Sequence, residues 1–358
     1  MRAHSRPLLA AVVVLLAAAT THAAITQFVG RVTARVIERL TATNEAIGFD
    51  DQSDEYVSPS SDTLPIQAVA RVSDEDGQAA GVAAAQFADP RTASGSDPDE
   101  FSVNLVLAVD RSDASFEGAA SSSEERTILI SSAEAGGRPA GATFNATGRF
   151  FVDGALTVFA TKEAAALNDA FVALRVRVER QGLTGTPTTV FEGEIRLVGG
   201  AGRTVVLSKS GNFPETGVFT IDLPGIDPTL SVFRVVVFPS LQFDYTYQAV
   251  VGQPFVLRAS VLVDAKAASE GVGVAALIGT PASSLVEVVT QTIGASTADN
   301  MSKAIARERE NPSGEPAFVS STPDLSPLNW FGLCGLFGLE SVVGALAVVG
   351  LALGRRRL

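Results

Sequence analysis

The sequence predicts an all-β fold: an antiparallel β-sandwich, jelly-roll-like, between an N-terminal signal helix and a C-terminal membrane helix. Three observations carry that expectation. Apolar residues recur with a period of two in runs from residue 101 to 292, the mark of strands with one buried and one wet face. Gly, Pro, Asn and Asp punctuate those runs at short intervals. No amphipathic helices of about 10–15 residues alternate with them, which speaks against a doubly wound α/β fold. A barrel is the alternative closure, but an outer-membrane barrel would need an apolar outward band. Here the outward positions carry Arg and Glu.

The first element is an export signal. Arg2 and Arg6 form a short basic region, and residues 8–19 (LLAAVVVLLAAA) are apolar. Thr21 and Ala23 stand at −3 and −1 of a cut, so 1–23 reads as a signal peptide removed after Ala23. The run is too short for a stable membrane anchor.

Residues 24–63 are expected to be an N-terminal segment and an acidic loop. Within 25–40, Phe28, Val32, Val36 and Leu40 fit a helix face, while Phe28, Val32, Ala34 and Val36 fit a strand. Residues 50–63 (DDQSDEYVSPSSDT) read as the loop. The body is expected over 64–310. Its weaker strands are Pro65–Val72 and Ala79–Phe87; 101–110 (FSVNLVLAVD) and 126–132 (RTILISS) are stronger.

The clearest alternation follows. Residues 171–180 set Val172, Leu174, Val176 and Val178 against Arg175, Arg177 and Glu179. Residues 190–197 set Phe191, Ile195 and Leu197 against Glu192, Glu194 and Arg196. Strands are also expected over 217–223, 231–238, 242–250 and 254–264, where Phe255, Leu257, Ala259, Val261 and Val263 share a side. Residues 299–310 (DNMSKAIARERE) form the best soluble helix, capped by Asp299 or Asn300. A Pro/Ser-rich stalk over 311–329 then leads to the tail, 330–358.

That tail holds Leu333-Cys334-Gly335, then an apolar stretch broken by Glu340, then Arg355-Arg356-Arg357-Leu358. Residues 341–354 alone are short of the roughly 20 apolar residues a span needs, and recruiting Trp330–Leu339 supplies the rest. The arginines would lie on the cytoplasmic side and the body outside.

A short motif, a helix and a basic cluster at a chain end resemble the PEP-CTERM and MYXO-CTERM classes of bacterial C-terminal sorting signals. The resemblance implies recognition by a membrane processing enzyme, followed by transfer to or anchoring at the cell surface. The resemblance implies Cys334, Gly335, Arg355, Arg356 and Arg357 as processing and sorting residues, beside the Ala23 cut expected of the export signal. No Pro-Glu-Pro precedes the helix, so the match is to the cysteine-bearing type. The body, above all FDYTYQAVVGQPFVLRASVLVDA and the following GVGVAALIG, also resembles in style the sandwich ectodomains attached to such tails.

Composition restricts the chemistry. Both histidines, His4 and His22, lie in the signal, and the single cysteine, Cys334, lies in the tail. A body without them has no Ser-His-Asp or Cys-His catalysis, no histidine-ligated metal, no disulfide and no thiolate nucleophile. The whole chain carries −12; leaving out the five terminal arginines and Glu340 takes the body to −16. Such a body repels nucleic acid. Asp74, Asp76, Asp97 and Asp99 are calcium candidates, weighed against solvated loop charge because no EF-hand spacing is present. No cofactor is expected.

Paired carboxylates could hydrolyse glycosides without histidine, but acids this frequent on strand faces are usually surface charge. A carbohydrate platform would need exposed aromatics, and the body offers Tyr56, Tyr245 and Tyr247. The expectation is therefore a non-enzymatic protein of the cell envelope or extracellular matrix. Its partners would be the membrane and a sorting enzyme. The alternative is a surface carbohydrate-binding or carbohydrate-active protein acting on extracellular polysaccharide.

Overall fold

The computed structural model describes residues 24–58, 66–74, 77–86, 100–161, 164, 166–215, 218–222, 230–279 and 317–320. They form two antiparallel sheets. Sheet A contains β1 (Ala24–Leu40), β2 (Ala46–Ser58), β6 (Ala114–Leu129), β8 (Phe171–Gly182), β9 (Thr188–Gly200), β10 (Thr204–Gly211) and β13 (Phe255–Ala267), in the order β10-β9-β8-β13-β6-β1-β2. Sheet B contains β3 (Ile66–Asp74), β4 (Gly77–Gln86), β5 (Glu100–Val109), β7 (Thr143–Thr161), β11 (Phe219–Asp222), β12 (Leu230–Val250) and β14 (Val272–Ile278), in the order β11-β12-β7-β14-β5-β4-β3. A short β15 (Ala317–Ser320) pairs with β5 and β7.

The sheets stack strand over strand. β1 and β2 lie on β3 and β4, β6 on β4 and β5, β13 on β5 and β14, and β8 and β9 on β7. β1–β6 and β7–β12 thus form two flanking groups. The last long pair joins them: β13 sits between β8 and β6, and β14 between β7 and β5. β14 needs no polar face there, and all seven of its residues (VGVAALI) are buried. Gly273 is required within it, because a Cβ would overlap the Phe159 ring.

Alternation delivers the core between the sheets. β13 reads buried and half-buried in strict turn, with Phe255, Leu257, Ala259, Val261 and Val263 inward. Burying each of the phenylalanine, leucine and valine side chains contributes about 1.5–3 kcal/mol. Phe150 and Phe243 stack at 4.7 Å, and Phe191 meets both edge-on at 5.4 Å.

Residues 25–40, which fit either a helix face or a strand, are strand. Several expectations need correction. Residues 50–58, expected in an acidic loop outside the body, belong to β2, and 24–58 supplies two strands of sheet A. The reason is that β2 is an edge strand: both its faces carry polar residues, so no apolar stripe betrays it. β6 begins at Ala114 rather than 126, because its inward residues Ser122, Glu124 and Arg126 are polar. The stretches 231–238 and 242–250 are one strand, β12, with an irregularity between Phe238 and Leu241 where Pro239 cannot donate to the ladder. β7 and β10 were not anticipated. Ala317–Ser320 forms a strand inside the expected stalk.

The 299–310 helix, the signal helix and the membrane helix lie outside the described residues. Among the described residues, no helix is long and apolar enough to cross a membrane.

Candidate functional site

Of the expected site residues, Ala23, Cys334, Gly335, Arg355, Arg356, Arg357, Asp76, Asp97 and Asp99 lie outside the described residues. Asp74 closes β3, opposite Gly77 at the hairpin end. Among the described residues, no group of three or more His, Cys, Asp or Glu could hold a metal ion. The Asp50–Glu55 cluster is put to structural use instead. Asp50 Oδ2 accepts the backbone N–H of Arg71, Asp54 Oδ2 accepts that of Gln67, and Glu55 pairs with Arg31.

The chain brings together a polar cluster that sequence reading did not single out. β6 points Glu124 and Arg126 into the space between the sheets, where Glu124 is fully buried and Arg126 is 8% exposed. Arg126 donates to Glu124 Oε2 at 3.0 Å. Burial lowers the Arg126 guanidinium to about 10, an effect partly offset by Tyr245, so it stays charged at neutral pH. From β12, Tyr245 and Tyr247 stack with ring centroids 6.1 Å apart. Burial raises the Tyr245 phenol well above its usual range, reinforced by Tyr247 and Glu124 and opposed by Arg126. Burial raises Tyr247 likewise. Both therefore stay protonated at neutral pH and are reluctant to give up the phenol proton.

The Tyr245 ring lies over β7 at Gly148, where a Cβ would overlap it. The only hint in the sequence was negative: the polar run 121–127 interrupts an otherwise apolar inner face. Tyr56, Tyr245 and Tyr247 are all buried, so none forms an exposed aromatic platform.

Beside this cluster runs an open groove of about 1330 Å³. Its polar wall comes from outward positions of two paired strands: Asn145, Thr147 and Arg149 on β7, Gln242, Asp244 and Thr246 on β12. Arg149 donates to Asp244 at 2.7 Å, and Gln242 donates to the other Asp244 oxygen at 2.9 Å. The wall can exchange hydrogen bonds with a hydroxyl-rich ligand. The deep carboxylate of Glu124, held by Arg126 and shut from solvent, is not presented to it.

The fold and site together define an all-β protein of two facing antiparallel sheets with a buried polar cluster and a polar surface groove. No protein-family profile and no curated protein matches the chain. Two solved structures align with it at low similarity. One is titled "Structure of infectious bursal disease virus Gx strain" (12% identity, TM-score 0.10, 83% of this chain and 76% of that chain covered). The other is titled "Crystal structure of infectious bursal disease virus VP2 subviral particle" (11% identity, TM-score 0.08, 72% and 65% covered). Likenesses at that level carry no argument.

Proposed function

We propose that the chain is an exported, C-terminally sorted bacterial protein of the cell envelope or extracellular matrix. In this reading it is non-enzymatic, with a body wound as a jelly-roll-like sandwich. The observation that carries the proposal is the pair of chain ends: a basic-apolar-small signal closing at Ala23, and Cys334-Gly335, an apolar stretch and Arg355–Arg357 at the far end. Geometry adds support. β1 begins opposite Leu129, and β15 runs antiparallel to β7 past Arg149 toward the same end of the sheets. A body whose ends emerge together suits attachment at one pole. The absence of histidine and cysteine from 24–329 supports the non-enzymatic part.

Mass spectrometry of the mature C-terminus in the native host tests the proposal. A processed or modified end near Cys334 is expected, lost in Cys334→Ser while the body still folds. An intact end at Leu358 refutes the sorting step.

The second reading, binding of an extracellular polysaccharide, is favoured by the groove between loop 133–138 and the β7–β12 pair. Calorimetric titration with neutral and acidic polysaccharides, compared with Asn145→Ala and Gln242→Ala, decides it. Binding unaffected by both substitutions removes the groove from consideration.

A further inference from the structure

The outer face of sheet A holds a groove of about 460 Å³, within the size range of small-ligand sites. It arises from a step in side-chain size. One row across the sheet reads Arg35 on β1, Ala119 on β6, Asp264 on β13 and Ala173 on β8. Ala119 stands between a guanidinium and a carboxylate, and its methyl group leaves a low floor between them. The neighbouring row, Ile37, Glu117, Lys266 and Phe171, also lines the groove.

The charges in this groove are unequally committed. Glu117 Oε1 takes Lys266 at 3.0 Å, and its Oε2 takes Arg39 at 3.2 Å. Arg35 makes no ion pair among the described residues, and Asp51, its register partner on β2, lies beyond ion-pair distance. The Arg35 guanidinium lies over the Phe49 ring instead, 5.3 Å from the centroid, and Phe49 is 57% exposed. Phe49 pairs with Ile37 across β1 and β2, so an aromatic surface borders the groove. Asp264 Oδ1 is buried and has no hydrogen-bond partner among the described residues. A carboxyl that the fold does not fix can turn to meet a ligand hydroxyl. Arg35, Arg39 and Lys266 against Glu117 and Asp264 make three cations against two carboxylates. The groove is thus net positive on a chain of −12.

An uncommitted guanidinium takes a carboxylate in a bidentate pair. An exposed ring beside it offers a surface for the apolar face of a sugar, and the carboxyls on the far wall accept hydroxyls. We propose that this groove binds a carboxylate-bearing sugar, the uronic-acid unit of an acidic polysaccharide, with the sugar carboxylate on Arg35. The acidity of the rest of the chain opposes this little at physiological salt, where charges more than about 8 Å apart are largely screened. The proposal rests on the polysaccharide reading for its class of ligand, and it places the site on sheet A instead of the β7–β12 pair.

Titration calorimetry of the full chain with tri-galacturonate, and with maltotriose as the neutral counterpart, tests it. Tri-galacturonate should bind, and maltotriose at least about 10-fold more weakly, as one charge-assisted contact implies. Arg35→Gln should weaken tri-galacturonate by about 10-fold or more, while Arg35→Lys, which keeps the charge and loses the fork, should fall between. Ala119→Phe, which fills the floor, should abolish binding. Arg31→Gln, on the same face but outside the groove, should leave it unchanged. Melting temperatures of the Arg35 variants should match the parent, so that lost binding is not lost folding. No binding of tri-galacturonate at millimolar concentration, equal binding of maltotriose, or full binding by Arg35→Gln each overturns the proposal. Binding that survives Arg35→Gln but falls in Asn145→Ala or Gln242→Ala moves the ligand to sheet B: the polysaccharide reading then stands and this site does not.

Discussion

Asp50 on β2 accepts the backbone N–H of Arg71 on β3 at 2.8 Å, across the edge where the two sheets meet. Asp54 repeats the contact with the N–H of Gln67 at 3.1 Å. β2 belongs to sheet A and β3 to sheet B, so carboxylates do here what ladder hydrogen bonds do elsewhere. They occupy outward amides of an edge strand, which would otherwise template pairing with another chain.

Replacing both with alanine should therefore cost stability and invite self-association. Each contact is surface-exposed and contributes about 1 kcal/mol. Denaturant midpoints should fall accordingly for Asp50→Ala/Asp54→Ala, and light scattering should show oligomers that the parent lacks. An unchanged midpoint with a monodisperse protein would remove the edge-closing role.

Gly148 is the tightest spot beside the polar cluster. Gly148→Ala pushes its methyl into the Tyr245 ring and should destabilise by about 1–3 kcal/mol. Pairing it with Tyr245→Leu, which vacates part of the ring, should recover some of that loss. Thermal unfolding of the single and double variants measures the coupling. Strict additivity would mean that the two side chains do not contend for the same space.

Glu124 and Arg126 are predicted to be strongly non-additive. Glu124→Gln removes the carboxylate 3.0 Å from a buried guanidinium and should cost about 3–5 kcal/mol. Glu124→Leu with Arg126→Met should cost less than Glu124→Gln alone, since an apolar pair needs no desolvated counter-charge. Urea unfolding compares them. A double variant weaker than the single would show that the pair contributes net stability beyond its mutual neutralisation.

Two carboxylates lining a groove on sheet A should titrate with opposite sign. Burial raises the Asp264 carboxyl above the ordinary aspartate value, with Arg175 partly opposing. The folded state then holds this proton more tightly. That contribution is greatest in acid and is lost as pH rises through the raised value. Asp264→Asn should accordingly raise the melting temperature at pH 7 and leave it unchanged below about pH 4. For Glu117, burial acts upward but is outweighed by hydrogen bonds and charge from Lys266 and Arg39, so its carboxyl is lowered. Its contribution is present above the ordinary glutamate value and is lost as pH falls through the lowered one. Glu117→Gln should thus lower the melting temperature at pH 7 and not in strong acid. Melting curves from pH 3 to 8 check both signs.

Strands with one apolar face were legible before any coordinates. Residues 171–180 and 254–264 alternate so regularly that their inward sets, Val172 to Val178 and Phe255 to Val263, are the buried sets of β8 and β13. β2 was not legible, because an edge strand with carboxylates on its inner side presents no hydrophobic period. β7 hid for a related reason: Gly148 and Gly154 take inward positions without an apolar side chain, and Gly154 adopts a φ of 155° that marks an irregular strand.

The sequence alone determined the all-β class of the body and the acidity of the chain. Those follow from composition and from a period that depends only on local backbone geometry. The tertiary structure alone decided the rest. It set β13 and β14 between the two flanking groups, turned the Asp50 and Asp54 carboxylates onto a neighbouring edge, and sealed Glu124 and Arg126 beneath Tyr245. A period of two assigns a residue to a face but not to whatever lies across from it. Whether a charged side chain on that face meets water or a counter-charge is settled only when the second sheet arrives.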